Sequence, residues 1–267
     1  MPDRVDLFYN TYGHFTEKVL DTIRKETYGT DIGQNSWLTV DEYERWLPEL
    51  DLGPGRHLLE VASGSGGPAV YVARTTRCHI TGIDANENGV ATAARTADVA
   101  GQTHSVSFRV ADATAPLPFE DDSFDALLCI DSMNHFPDRL AVLREWRRVL
   151  RKGRRARFTD PVVITGPITN DEIALRSSIG HFLFVPAGVN DQLIEQAGFR
   201  LVRQEDVSEN AARVAGRWHR SRQAHRRELL EIEGDERFEG VQRFLEAVET
   251  LTSRRQLSRI AYLVEKP

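Results

Sequence analysis

Glu60, Asp84, Asp112 and Asp131 each stand at the carboxyl end of a segment that reads as a strand, and His135 follows Asp131 by four residues. Ionised carboxylates accept hydrogen bonds from vicinal hydroxyls or amino groups, and an imidazole takes a proton near neutral pH. Set along one edge of a sheet, these side chains could hold a polar ligand and move a proton. Between the first two acids lies Ala62-Ser63-Gly64-Ser65-Gly66-Gly67-Pro68-Ala69. Small residues at Gly64, Gly66 and Gly67 let the backbone approach a ligand closely, and the helix that follows offers N–H groups to a polar one. The combination points to a nucleotide-like ligand.

Positioning such groups requires a particular scaffold. Apolar segments at His57–Val61, Cys78–Ile83, Ser105–Val110, Phe124–Ile130 and Arg155–Thr159 alternate with helical patterns. Alternation of this kind predicts parallel strands joined by crossover helices, with the ligand crevice outside the strands' carboxyl ends. Gly64-x-Gly66-x-x-Ala69 also satisfies the dinucleotide fingerprint, and Asp84 lies near the spacing of its ribose-binding acid. Against that reading stands Glu60, at the end of a strand that is normally apolar in a dehydrogenase. Asp112 and Asp131 add carboxylates at the same edge.

The series resembles the class I S-adenosylmethionine-dependent methyltransferases. Glu60-Val61-Ala62-Ser63-Gly64-Ser65-Gly66 is similar to their first motif, Gly82-Ile83-Asp84 to the second, Ala111-Asp112-Ala113 to the adenine-side motif and Phe124–Asp131 to the fourth. Trp146–Gly153 completes the resemblance, which runs from about Leu58 to Asp160. Ala62 departs from it, since the family usually has glycine there. The resemblance implies a Rossmann-like, doubly wound α/β sheet of seven mostly parallel strands with an antiparallel last strand. It implies S-adenosyl-L-methionine as cofactor and S-adenosyl-L-homocysteine as product. Asp84 would hold the ribose hydroxyls, and Asp112 the adenine amino group with the Ala113 N–H beside the ring. Glu60 would orient the glycine loop and the methionine end, or act only as a cap for nearby N–H groups. Ala62, Gly64, Ser65, Gly66, Ala85 and Ile130 complete the expected cofactor contacts. Gln34 and Trp37 belong to a polar-aromatic segment that small-molecule methyltransferases fold over the cofactor; packing at a helix–sheet junction is the alternative for Trp37.

Asp131-Ser132-Met133-Asn134-His135 is similar to the corresponding stretch of phosphoethanolamine and sarcosine–dimethylglycine N-methyltransferases. In the phosphoethanolamine enzymes the Asp, the His and a lid tyrosine form a catalytic latch. The resemblance carries these roles to Asp131 and His135, and to Tyr12 or Tyr9. The alternative for His135 is a core histidine beside Phe136. An amine nitrogen is the expected acceptor atom, a hydroxyl or carboxylate oxygen the runner-up, and a non-catalytic S-adenosylmethionine-binding module the opposing class.

The 267 residues suffice for one α/β domain with additions: a helical cap over 1–52, then a catalytic domain over 53–267 with helical insertions near 166–198 and 208–255. Thr39 and Glu42 read as a capping box for a helix carrying Tyr43, Trp46 and Leu47. Strands are expected at Phe199–Val207 and Gln256–Glu265, which the resemblance makes the sixth strand and an inserted antiparallel seventh. A formal net charge of −6 argues against a nucleic-acid partner, and no apolar run is long enough to span a bilayer. The expected partner is a small-molecule acceptor and the expected location the cytoplasm. Cys78 and Cys129 sit in apolar strands and read as buried thiols, and no metal site is expected. The arginines from Arg144 to Arg157 and from Arg213 to Arg227 read mainly as solvated faces, with one or two of the latter available to an acidic acceptor.

Overall fold

The computed structural model describes residues 17–267 of the chain. The elements, in order, are α1 (Lys18–Tyr28), α2 (Val40–Trp46), β1 (His57–Val61), α3 (Gly67–Thr76), β2 (His79–Asp84), α4 (Glu87–Val99), β3 (Val106–Val110) and β4 (Phe124–Cys129). They continue with α5 (Arg139–Val149), β5 (Leu150–Ile164), α6 (Asn170–Arg176), β6 (Val185–Pro186), α7 (Val189–Gln196), β7 (Arg200–Asp206), α8 (Ser208–Ala224), α9 (Arg226–Ser253) and β8 (Leu257–Glu265). The sheet runs β3-β2-β1-β4-β5-β8-β7, and the two-residue β6 pairs with β5. Pairing is parallel from β3 to β5, while β8 lies antiparallel between β5 and β7. The strand order reverses at β1, so β1 and β4 flank the switch point where open α/β sheets bind ligands.

Burial on both faces explains the apolar runs of the central strands, since a parallel sheet is covered by its own crossover helices. One face carries Leu59, Val61, Leu127, Phe158 and Tyr262 against Trp146 of α5. The other carries Leu58, Ala126, Leu128 and Leu263 against α3 and against Tyr43, Trp46, Leu47 and Leu50. A third layer of α1, α8 and α9 stands over the carboxyl ends of the strands and gathers Tyr28, Trp37, Ile179, Val214, Phe244 and Val248. Gly234, at φ 73° and ψ 170°, kinks α9. Cys78 and Cys129 are buried free thiols. No helix among the described residues is long and apolar enough to cross a membrane.

Three local expectations are corrected. Thr39 makes no side-chain cap, because Glu42 turns inward and gives both oxygens to Arg259 at 2.7 and 2.8 Å; a capping box forms instead at Thr169 and Glu172. Arg157 is buried, stacked over Trp46 at 4.8 Å and ion-paired with Glu49, and is no part of a solvated face. Arg222 is likewise buried and paired with Glu233. In each case a group of opposite charge, 11 to 217 positions away, supplies a partner that local patterning cannot register.

Candidate active site

The glycine turn takes its shape from positive-φ residues: Ala62 at 58°, Gly64 at 53° and Gly66 at 76°. Ala62 tolerates this less readily than glycine would, so the turn stores strain at the cavity wall. Gly66 could not carry a side chain, since a Cβ would come within 2.6 Å of Ala93 and Phe108. At Gly67 a Cβ would meet the Ile32 carbonyl, so the segment before α2 lies directly on the turn. Ser65 fastens it there by donating to the Gly33 carbonyl at 2.8 Å. Asp84, at the tip of β2, accepts from the Gly64 N–H at 2.8 Å and the Asn86 N–H at 2.9 Å, which locks the first two loops together. Burial nevertheless raises its carboxyl above the usual range.

These loops open into a cavity of about 840 Å³ that continues under the helical layer. Glu60, Ala62, Gly64, Ser65, Asp84, Ala85, Asp112, Ala113 and Ile130 line one end, and Trp37, Asp131, Ser132, His135, Arg176, Phe182, Trp218 and Phe244 line the other. Glu60 is 5% exposed, and burial pushes its carboxyl up to about 8 although the Tyr43 hydroxyl donates to Oε1 at 3.4 Å. Its Oε2 lies buried without a hydrogen-bond partner. An orphaned carboxylate oxygen in such a wall is matched by a ligand cation. S-adenosylmethionine carries an ammonium and a sulfonium, together with the vicinal diol that Asp84 can accept from. The residues fit that cofactor.

The other end is built around buried charge. Asp131, itself at φ 55°, accepts from Arg259 Nε and the Thr159 hydroxyl through Oδ1, both at 2.7 Å. Its Oδ2 accepts the backbone N–H of Trp37 at 2.9 Å. Asp131 therefore fastens the segment before α2 to the sheet, and no hydrogen bond among the described residues joins it to His135. The Trp37 ring packs edge-on to Trp218 at 6.2 Å and beside Phe244 at 6.3 Å, while Asn210 donates to its carbonyl. His135 sits in a short 3-10 turn over Met133–His135, with Nδ1 3.0 Å from the His181 carbonyl. A carbonyl can only accept, so Nδ1 carries the proton and Nε2 the lone pair, toward which the Asn134 side-chain amide N–H points at 3.5 Å. Burial lowers the imidazole below its usual value, with the hydrogen bond donated to the His181 carbonyl opposing and the Arg176 charge adding to the shift.

Of the expected site residues, two do not join the lining. Gln34 is buried within its own loop, accepting from the Ile32 N–H at 2.8 Å and donating to the Thr30 carbonyl, so it braces that loop. Gly66 lies beneath the surface as a packing contact. Tyr12 and Tyr9 lie outside the described residues. The sequence reading missed Arg176, Arg259, Glu42 and Phe182. A signal for Arg259 existed: it is the one charge in the mostly apolar Leu257–Val264 run, where a charge needs a buried partner.

The glycine turn after β1, the acid at the tip of β2, the switch-point cavity and the antiparallel β8 together define the class I S-adenosylmethionine-dependent methyltransferase fold. Residues 59–158 match the family described as methyltransferase domain. Methyltransferase GfsG of Streptomyces halstedii is 37% identical over 183 residues, 64% of this chain and 61% of that protein. An O-methyltransferase of Pyrenophora dematioidea is 34% identical over 175 residues, 64% of each chain. The chain thus spans somewhat over three-fifths of the length of these relatives. Phosphoethanolamine N-methyltransferase 2 of Haemonchus contortus, solved with S-adenosylhomocysteine, shares the fold at a TM-score of 0.80 and 17% identity, covering 100% of this chain and 61% of that one.

Proposed function

We propose that the protein transfers a methyl group from S-adenosylmethionine to a hydroxyl oxygen of a small-molecule acceptor, with His135 as the base. The observation that carries this reading is the fixed tautomer of His135 at the cavity wall. Bound in the cavity, S-adenosylmethionine supplies a methyl group on a sulfonium that leaves as a neutral thioether. Glu60 faces the cofactor's positive charge, Asp84 accepts from its ribose and Asp112 holds the adenine end. Trp37 closes the site and excludes water, which aligns the reactants and keeps the electrostatics strong. His135 Nε2 takes the hydroxyl proton as the oxygen attacks the methyl carbon, and burial keeps the imidazole neutral and competent at pH 7. Asp131 positions the lid, a role that replaces its expected share in a latch.

Nitrogen was the expected acceptor atom, and Arg176 argues for oxygen. An amine arrives as a cation at neutral pH and would meet a buried guanidinium; a neutral hydroxyl meets no such repulsion but needs a base. The relatives named above include both an O- and an N-methyltransferase, so the choice rests on Arg176. Incubation with S-adenosylmethionine and matched sets of hydroxyl and amine acceptors, followed by mass spectrometry, tests it. S-adenosylhomocysteine should appear with methylated hydroxyls. Methylated amines alone would restore nitrogen, and cofactor binding without any methylated product would favour a binding module.

A further inference from the structure

Arg176 is the only lysine or arginine among the described residues that line the cavity. It is 1% exposed, and its guanidinium carbon lies 4.9 Å from the ring centroids of both Phe182 and Phe244 and 6.0 Å from Trp37. Aromatic faces hold the cation in place without using its N–H donors. Among the described residues it forms no ion pair, and Nη1 is buried without a hydrogen-bond partner. The nearby acids do not supply one. Asp131 is engaged by Arg259, Thr159 and Trp37, and Asp160 by Arg139 and Asn190. Their fields favour the charged form, and burial lowers the guanidinium only to about 10, so it stays protonated at neutral pH. The result is a desolvated cation with unfilled donors facing a cavity, which is costly unless a ligand fills them.

We propose that the acceptor is itself an anion: a hydroxy acid with an apolar or aromatic body, its carboxylate on Arg176 and its hydroxyl against His135. This rests on the methyl-transfer reading above and specifies its substrate class. Phe182 sets the spacing, because its ring lies 5.2 Å from the His135 imidazole and 4.9 Å from the Arg176 guanidinium. Base and cation thus flank one aromatic ring, and Trp37, Trp218 and Phe244 cover the space between with apolar surface. A single guanidinium matches a monoanionic carboxylate in charge and planar shape. A phosphomonoester dianion would call for a second cation, and the described lining offers none.

The test is calorimetric titration of the full chain, loaded with S-adenosylhomocysteine. The probes are para-hydroxybenzoate, para-hydroxycinnamate and ω-hydroxydodecanoate, each with its primary amide, and phenyl phosphate. At least one acid should bind more tightly than its amide by about tenfold or more, the weight of a charge-assisted hydrogen bond. Arg176→Gln should erase that preference and Arg176→Lys retain part of it, both keeping wild-type affinity for S-adenosylhomocysteine as proof of an intact fold. Equal binding of acids and amides, no binding by any acid, or a tighter hold on phenyl phosphate would each overturn the proposal. Product analysis of the same acids and amides, incubated with S-adenosylmethionine in place of S-adenosylhomocysteine, separates the two readings. Acid preference without methyl transfer defeats the methyl-transfer reading alone, whereas methylation of neutral acceptors without preference defeats this one alone.

Discussion

At the scale of single residues, Glu60 and Asp131 are acids of opposite circumstance. Glu60 is buried with one oxygen unmatched, and its carboxyl is pushed up to about 8 by desolvation. A cationic cofactor favours the ionised form, so binding below that pH must release a proton. Cofactor affinity should strengthen as pH rises from 6 toward 8, with proton release at pH 7 visible in buffers of different ionisation enthalpy. In Glu60→Gln the affinity should be weaker and flat with pH; an unchanged slope would remove Glu60 from the cofactor's charge. Asp131 is fully engaged, so Asp131→Asn should act on the lid and not on the proton. The variant should melt earlier, because Arg259 loses a buried partner, and should bind cofactor more weakly, yet keep the acid limb of its rate profile. A latch with His135 predicts instead a loss of turnover equal to that of His135→Ala. Ala62, held at φ 58°, gives a smaller test: Ala62→Gly should relieve about 1 kcal/mol of left-handed strain and raise the melting temperature.

Among the elements, the strands and the glycine turn were legible because their signals are local. Leu58-Leu59-Glu60-Val61 followed by small residues specifies a buried strand and a tight turn without help from elsewhere, and Gly198 past α7 sits at φ 81° as a helix stop. Residues whose meaning comes from a distant partner were not legible. Thr39-x-x-Glu42 is a good capping-box pattern, yet Glu42 serves Arg259 of β8, 217 positions on. Arg176 reads as an ordinary helix-end arginine until α9 brings Phe244 over it. The Glu42–Arg259 pair fastens α2, and with it the lid, to the sheet. Glu42→Leu should therefore cost ~3 kcal/mol by leaving buried charge short of a partner. Glu42→Leu with Arg259→Met should lose less than the two single changes together, as a double-mutant cycle in denaturant would register. Strict additivity would mean that the two charges do not act as a unit.

For the molecule as a whole, the sheet supplies a cofactor site at its switch point, and α6, α8 and α9 line the chamber proposed for the acceptor. The first is shared with the methyltransferase fold and follows from motifs; the second is assembled from insertions whose packing no motif encodes, so the sequence led to the class and not to the acceptor. What joins the two is His135, at the mouth of β4 between the cofactor end and Arg176. The direct measurement is the pH dependence of kcat for methyl transfer in wild type and His135→Ala, with cofactor saturating. Only neutral imidazole accepts a proton, so the wild-type rate should fall as pH drops through an inflection below the ordinary histidine value of about 6.5 and be level at neutrality. His135→Ala should lower kcat by ~10²–10⁴-fold, abolish that limb and leave cofactor affinity and melting temperature close to wild type. A variant that keeps the same acidic limb and turns over at the wild-type rate would contradict the assignment of His135 as the base.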